Sequence, residues 1–170
     1  MLTKSKAQTQ KIAIRLAKSI TANRSDHSVG ATVIALIGDL GSGKTAFTQG
    51  FIKSLGIKTH VPSPTFVIYR KYPILGSRTS KRSGRYQEVR LPKDFKNIYH
   101  FDLYRIQKPK EIIDLNFKKI IKNPENIVLI EWPKAIMKYL PKDTICIEFD
   151  HGKRVNERVV NVKCKYQKLK

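Results

Sequence analysis

Residues 38–45 carry the residue types that hold the phosphates of a nucleotide. Their sequence, GDLGSGKT, matches the pattern G-x-x-x-x-G-K-[ST] at every fixed position. Glycines allow backbone angles that a Cβ atom would forbid, so main-chain N–H groups can turn inward around a phosphate. The lysine supplies a point charge for the β- and γ-phosphates, and the threonine hydroxyl is a Mg²⁺ ligand. The segment therefore predicts a site for a nucleoside triphosphate with Mg²⁺.

Several residues of this segment are predicted to contact the nucleotide. Lys44 is the predicted catalytic cation, and Thr45 is a predicted metal ligand. The helix that follows would present its positive end to the phosphates. The predicted nucleotide-binding residues of the segment are Asp39, Leu40, Gly41, Ser42, Gly43, Lys44, Thr45 and Ala46.

Two acidic residues are candidates to complete the Mg²⁺ site, because one threonine supplies too few oxygen ligands. Asp102 ends the segment IYHFD, and Glu131 ends the segment IVLIE. Ligands of parallel sheets bind at the carboxyl ends of the strands, so both acids are expected at one edge of the sheet. Either acid could bind the metal or orient the attacking water, and the sequence does not rank these two roles.

Three further side chains lie close to these motifs in the sequence. Thr65, in the segment SPTF, is a candidate sensor of the γ-phosphate, with a proline-set turn as the alternative. Trp132, the only tryptophan, directly follows Glu131 and either packs in the core or lines the edge of the site. His100 lies inside the strand that ends at Asp102, and we interpret it as a structural residue.

The elements around these motifs alternate between strands and helices, which is typical of an α/β protein. Strands are predicted at residues 31–37, 65–72, 98–103, 127–131, 144–149 and 155–162, and helices at 9–21, 46–55 and 109–115. Strand, glycine loop and helix follow one another in the order that a phosphate loop requires. We therefore predict a P-loop NTPase-like three-layer sandwich with a mostly parallel central sheet and an antiparallel C-terminal strand pair.

The chain is strongly basic, with a net charge of +21 in 170 residues, a length that predicts one domain. Residues 70–96 contain nine Lys or Arg and two acids, and residues 76–85 have almost nothing to bury. We expect a basic insertion at about 73–97 that is mobile or disordered on its own. Such a surface attracts polyanions, although a generally basic proteome would explain the charge equally well.

Membrane and secretory signals are missing from the sequence. Its apolar runs fall short of the roughly 18 residues of a membrane helix, and it has no signal-peptide core. We therefore expect a cytoplasmic protein with no membrane contact.

Two other functions would also use a phosphate loop. A small-molecule kinase needs an arginine-bearing lid, for which the candidates are Arg78, Arg82, Arg85 and Arg90. A nucleotide-regulated RNA-binding module would use the basic insertion and the basic C-terminal tail. A GTPase is excluded, because the chain contains neither an Asn-Lys-x-Asp base reader nor an Asp-x-x-Gly switch.

Five motifs in a fixed order resemble those of TsaE (YjeE), the bacterial ATPase family of the tRNA threonylcarbamoyladenosine modification system. The motifs are GDLGSGKT, SPTF, YHFDLYR, P-x-E-[IL]-x-x-L and IEWP, between residues 38 and 133. The resemblance implies a P-loop α/β fold and the cofactors ATP and Mg²⁺. It also implies action with TsaB and TsaD, which attach threonylcarbamoyl to tRNA, while the ATPase resets their complex without performing the transfer.

The resemblance further implies roles for single residues. The matched positions are Lys44, Thr45, Thr65, Asp102, Glu131 and Trp132. The family also uses terminal residues near the adenine, for which Ser5 or Thr9 and a residue among 156–158, taken as Arg158, are the candidates. The chain departs from the family in its long basic insertion, where the family has a short hairpin. That basic surface makes tRNA a candidate partner.

Overall fold

The computed structural model describes residues 1–23, 29–58, 61, 64, 67–74, 78–82, 85–89 and 95–164, with the backbone alone at 78–82, 85–89 and 164. Its strands are β1 (Leu2–Thr3), β2 (Thr32–Gly38), β3 (Tyr69–Pro73), β4 (Arg78–Arg82), β5 (Arg85–Val89), β6 (Asn97–Asp102), β7 (Asn126–Glu131), β8 (Ile145–His151) and β9 (Arg158–Cys164). Its helices are α1 (Lys6–Ala22), α2 (Lys44–Ser54), α3 (Lys110–Ile113), α4 (Phe117–Lys122) and a 3-10 helix at Pro133–Tyr139. None of these helices is both long and apolar enough to cross a membrane.

Seven of the described strands form one sheet, in the order β1-β9-β8-β2-β7-β6-β3. The four central strands, β8, β2, β7 and β6, run parallel to one another. β9 and β1 add antiparallel at one edge, and β3 adds antiparallel at the other. β2 and β7, in the middle of the sheet, are buried along most of their length on both faces, which explains their nearly continuous apolar sequences. This topology confirms the predicted sheet with its parallel centre and antiparallel C-terminal pair.

Helices cover both faces of the sheet. Alternate side chains of a strand point to opposite faces, so β2 contributes to two cores. Ile34 and Leu36 pack with Phe47 of α2 on one face, and Val33 packs with Phe117 of α4 on the other. Burying one such side chain stabilises the fold by about 1.5–3 kcal/mol. The three predicted layers are therefore present, and they fix the carboxyl ends of the parallel strands.

Several elements begin at other residues than predicted. The strand predicted at 65–72 has its described part beginning at Tyr69, because the Val67 N–H donates to the Pro64 carbonyl oxygen (2.8 Å) and not to a neighbouring strand. Residues 65–66 lie outside the described residues. The last strand begins later than predicted, because a closed turn at residues 152–157 precedes it. The sequence thus predicts these two strands, while local hydrogen bonds determine where they begin; β1, α4 and the 3-10 helix were not predicted.

The basic insertion contains regular structure that its composition did not predict. β4 and β5 pair antiparallel with Arg82 opposite Arg85, and they form a separate two-stranded sheet. A hairpin ladder needs only main-chain hydrogen bonds, so a polar composition does not exclude it. The expectation that the insertion is mobile or disordered on its own stays a prediction, because pairing of β4 with β5 does not determine how the segment moves. The predicted insertion residues 75–77, 83–84 and 90–94 lie outside the described residues.

Candidate functional site

The glycine segment 38–45 begins at the carboxyl end of β2 and leads directly into α2. Gly38 and Gly43 have φ angles of 147° and 108°, which side-chain-bearing residues rarely adopt. A Cβ atom on Gly38 would also collide with the Phe149 carbonyl oxygen. Gly43 is the N-cap of α2 and has no side chain to bond the first-turn N–H groups. The backbone therefore presents helix N–H donors that suit an anion.

Lys44 lies across this loop with only 4% of its surface exposed. Its Nζ donates hydrogen bonds to the carbonyl oxygens of Gly38 and Asp39, both at 2.7 Å. The same atom lies 3.9 Å from the centroid of the Trp132 ring. Burial lowers the pKa of Lys44 below 10.5, and nearby carboxylates, with Glu131 first, oppose that shift. Phosphate oxygens bind an ammonium more strongly than carbonyl oxygens do, so a nucleotide could recruit this group.

Glu131, at the end of β7, is the buried acid of the site, with 2% exposure. Thr45 Oγ1 donates to its Oε2 at 3.0 Å, and Thr48 Oγ1 donates to its Oε1 at 3.3 Å. His100 Nε2 lies 2.9 Å from the same Oε1. Thr45 and Glu131 thus bring two oxygen ligands together at the first turn of α2, and such oxygens fit Mg²⁺.

Asp102, at the end of β6, pairs in register with Glu131 on the neighbouring strand. It is partly exposed, and its Oδ1 accepts a hydrogen bond from the Tyr104 N–H at 3.2 Å. The Leu103 N–H donates to the Glu131 carbonyl oxygen at 3.0 Å and holds the two strand ends together. The structure therefore places both predicted acids at one edge of the sheet, in different surroundings.

Trp132 lies at the edge of the site and has an unusual backbone conformation. Its φ angle is 58°, in the left-handed region, which costs about 1–2 kcal/mol for a residue with a Cβ. Its N–H donates to the Leu36 carbonyl oxygen at 3.3 Å, and its ring lies 4.9 Å from that of Tyr104. The strained turn directs the ring toward Lys44, and such strain is concentrated at functional sites.

The terminal candidates for nucleotide contact lie against the same loop. A Cβ atom on Gly43 would lie 3.7 Å from Thr9 Cγ2 and 3.9 Å from Arg158 Cγ. Thr9 is buried, and its hydroxyl pairs with that of Thr3 at 3.0 Å. Arg158 Nε donates to the Gly41 carbonyl oxygen at 2.9 Å. The polar groups of both candidates thus bond to protein atoms in this structure.

The remaining predicted site residues differ in exposure. Asp39 and Leu40 are exposed at the tip of the loop, with Leu40 at 72%. Ser42 is fully buried, and Ala46 is partly buried in the first turn of α2. Thr65 lies outside the described residues, so its sensing role stays a prediction.

Two contacts of this site were not predicted from the sequence. Thr48 follows Thr45 by three residues on the same helix face, a spacing that could have indicated it. His151 Nε2 lies 3.2 Å from the Leu40 carbonyl oxygen and ties the loop tip to the end of β8, for which the sequence holds no signal. His100, interpreted as structural, contacts an acid of the site directly.

Comparisons with known proteins place the chain in a family. A family model described as "Threonylcarbamoyl adenosine biosynthesis protein TsaE" matches residues 3–160. The tRNA threonylcarbamoyladenosine biosynthesis protein TsaE of Haemophilus influenzae is 33% identical over 125 residues, 74% of this chain and 66% of that protein. The Rickettsia conorii protein of the same name is 31% identical over 163 residues, 94% of this chain and 77% of that protein.

A solved structure agrees with these sequence matches. The crystal structure of Bacillus subtilis YdiB superimposes with a TM-score of 0.62 and 25% identity, over 98% of this chain and 84% of that chain. The family match includes the phosphate loop and both strand-end acids. The resemblance drawn from the five motifs is therefore confirmed, and the chain belongs to the TsaE family of threonylcarbamoyl adenosine biosynthesis proteins.

Proposed function

We propose that this protein is a Mg²⁺-dependent ATPase of tRNA threonylcarbamoyladenosine biosynthesis, located in the cytoplasm. It would act on TsaB and TsaD without transferring the threonylcarbamoyl group itself. The observation that carries the proposal is the meeting of Thr45 and Glu131, whose side-chain oxygens are 3.0 Å apart beside the phosphate loop. In this proposal residues 1–170 form one ATPase domain with a basic insertion at 73–97.

The two acids receive different roles in this proposal. Both donors from outside the loop bond Oε1 of Glu131, which leaves Oε2 beside Thr45 as the oxygen for the metal. Asp102 is the more open acid of the pair and orients the attacking water, accepting its proton. Thr45 and Glu131 would hold the Mg²⁺, which would neutralise the negative charge that develops on the phosphates.

The phosphate loop binds and orients the nucleotide in this proposal. Its N–H groups and the start of α2 would hold the β-phosphate, while Lys44 turns from the loop carbonyls to the β- and γ-phosphates. Thr9 and Arg158, packed against Gly43, would border the adenosine side of the nucleotide. Trp132 and Thr65 would respond to the γ-phosphate.

Replacement of Lys44 tests ATP binding most simply. Lys44→Ala removes a charge-assisted contact, so the affinity for a fluorescent ATP analogue with Mg²⁺ should fall by roughly 10- to 100-fold. Lys53→Ala, an exposed lysine in the last turn of the same helix, is the matched control and should bind normally. Unchanged affinity in Lys44→Ala would refute the site.

The partner proposal needs its own experiment. Purified TsaB and TsaD should be retained by the immobilised chain in an ATP-dependent manner, and they should raise its ATP turnover. If neither retention nor stimulation occurs, the assignment to this complex is wrong, even if the chain binds ATP.

RNA binding is a second candidate function, favoured by the net charge of +21 and by Arg82 opposite Arg85 in the hairpin. Electrostatic tRNA binding should weaken with salt, with a log–log slope of about −0.9 per duplex phosphate contacted. Replacing both arginines by Gln should make that slope shallower, whereas Lys118→Gln with Lys119→Gln, an exposed pair on α4, should not. Salt-independent or undetectable association would refute this function.

A kinase would use the same phosphate loop for a different reaction. Incubation of the protein and ATP with a panel of nucleosides and nucleoside monophosphates distinguishes a kinase from the proposed ATPase. Phosphate transfer faster than hydrolysis would favour the kinase, and hydrolysis alone is the result expected for the proposed ATPase.

A further inference from the structure

Within the described part of the chain, the buried carboxylate of Glu131 has three side-chain hydrogen bonds, and its two oxygens have different partners. Oε2 accepts the hydroxyl of Thr45, the proposed metal ligand, at 3.0 Å. Oε1 lies 3.3 Å from the Thr48 hydroxyl and 2.9 Å from His100 Nε2. A carboxylate can only accept, so His100 carries its proton on Nε2 and donates it. One oxygen is thus fully used by the protein, while the other faces the phosphate loop.

We infer that His100 and Thr48 are positioning residues, which hold Glu131 in the orientation that directs Oε2 toward the metal. The inference rests on the proposed role of Glu131 and names the side chains that make it effective. The last torsion of a glutamate is broad and weakly fixed by its own rotamer preference. Two donors on one oxygen lock that torsion, because rotation would break both hydrogen bonds.

The surroundings of His100 indicate that the imidazole is retained for its contact with Glu131. The ring is fully buried, and within the described part of the chain its Nδ1 has no hydrogen-bond partner. A buried polar atom without a partner destabilises a fold, so an apolar side chain would serve packing better at this position. The hydrogen bond from His100 Nε2 to Glu131 therefore explains why a histidine, and not an apolar residue, occupies this position.

The contacts also join the acid to the nucleotide loop. Thr45 and Thr48 lie three residues apart on α2, the helix that begins at Lys44. His100 lies on β6 and Glu131 on β7, which run in parallel register. The orientation of the carboxylate is therefore tied to the helix whose first turn faces the phosphates.

The test measures how Mg²⁺ and nucleotide binding depend on each other. In His100→Leu and Thr48→Val, the Mg²⁺ concentration that half-saturates binding of a fluorescent ATP analogue should rise by about tenfold or more, as for other residues that orient metal ligands. Binding of the analogue in EDTA should stay close to wild type. His100→Gln keeps a side-chain N–H donor and Thr48→Ser keeps the hydroxyl, so both should retain most of the wild-type Mg²⁺ response.

A matched control separates positioning from packing. Thr144→Val replaces another buried threonine, whose hydroxyl donates to the Pro141 carbonyl oxygen before β8, and its Mg²⁺ requirement should not change. A wild-type Mg²⁺ requirement in Thr48→Val and His100→Leu would overturn the inference, as would equal losses in His100→Leu and His100→Gln. If His100→Leu fails to fold, Thr48→Val, which keeps the side-chain shape, decides.

The same titration separates this inference from the proposed function. If the ATP affinity of the wild type does not depend on Mg²⁺, the proposed function and the inference are both wrong. A normal wild-type response that persists in the variants would overturn the inference alone.

Discussion

The carboxyl ends of β6 and β7 each carry an acidic side chain, and the two side chains have different surroundings. Asp102 and Glu131 pair in register on neighbouring parallel strands. Glu131 is 2% exposed and bonded by two hydroxyls of α2 and by a histidine of β6. Asp102 is partly exposed and accepts the N–H of Tyr104. The sheet brings the acids together, and the helix beside one of them makes them different.

This difference suggests that one acid binds the metal and the other acts as the base, an assignment that the sequence does not make. A carboxylate held by several donors has a fixed direction, which suits a metal ligand. Asp102 is partly exposed, and a carboxylate in contact with solvent suits the role of a base that acts on water. Substitution of each acid should separate these two roles.

Replacing the buried acid should have the largest effect. Glu131→Gln keeps the side-chain volume but removes the charge that the metal requires, so ATP turnover should fall by about 10³-fold. Steady-state phosphate release measures it. Glu148→Gln is a control, because Glu148 carries a carboxylate that pairs with Lys163 on β9. Equal ATP turnover in Glu131→Gln and the wild type would show that Glu131 is not a metal ligand.

Replacing the open acid should lower turnover less. Asp102→Asn removes the proton acceptor for the attacking water, so turnover should fall by about 10²-fold. The KM for ATP should remain close to wild type, because nucleotide binding does not need the base. A large rise in KM with an unchanged kcat would contradict this assignment and point to a binding role.

The fluorescence of Trp132 should separate binding from chemistry at the two acids. Lys44 Nζ lies 3.9 Å from the ring centroid. Movement of this ammonium group to a phosphate therefore changes the surroundings of the only tryptophan in the sequence. ATP should therefore cause a saturable change in emission in Asp102→Asn as in the wild type. The change should disappear in Lys44→Met. A signal that persists in Lys44→Met would show that the ring does not report on this ammonium.

The pH dependence of ATP affinity should show the smallest effect and rank the two acids. Burial lowers the pKa of Lys44 below 10.5, so its charge, and the ATP affinity, should decline at lower pH than for an exposed lysine. Glu131 opposes the shift more than Asp102 does. Removing either charge should move the decline to still lower pH, further in Glu131→Gln than in Asp102→Asn. A larger shift of the decline in Asp102→Asn than in Glu131→Gln would contradict this ranking of the two acids.

Much of the site could be predicted from the sequence, because its parts depend on local rules. The glycine spacing of residues 38–45 requires the positive φ angles that Gly38 and Gly43 adopt. Parallel strands bring their carboxyl ends together, so the sequence predicts that Asp102 lies beside Glu131, as it does. Such features follow from short segments and from the direction of strands.

Other parts depend on packing between distant segments. The contact of His100 with Glu131 requires the rotation and spacing of two strands and a helix, which no single motif encodes. Arg158 reaches the Gly41 carbonyl oxygen only because the terminal turn places it there. In the basic insertion, composition indicated polarity correctly but gave no information about the ladder of β4 and β5.

Binding of Mn²⁺ in place of Mg²⁺ tests the division of the two acids most directly. Electron paramagnetic resonance can count free Mn²⁺ during titration of each variant with a non-hydrolysable ATP analogue. The account predicts that Glu131→Gln weakens Mn²⁺ binding by about tenfold or more, while Asp102→Asn binds it as the wild type does. Weaker binding in Asp102→Asn than in Glu131→Gln, or equal losses in both, would contradict it.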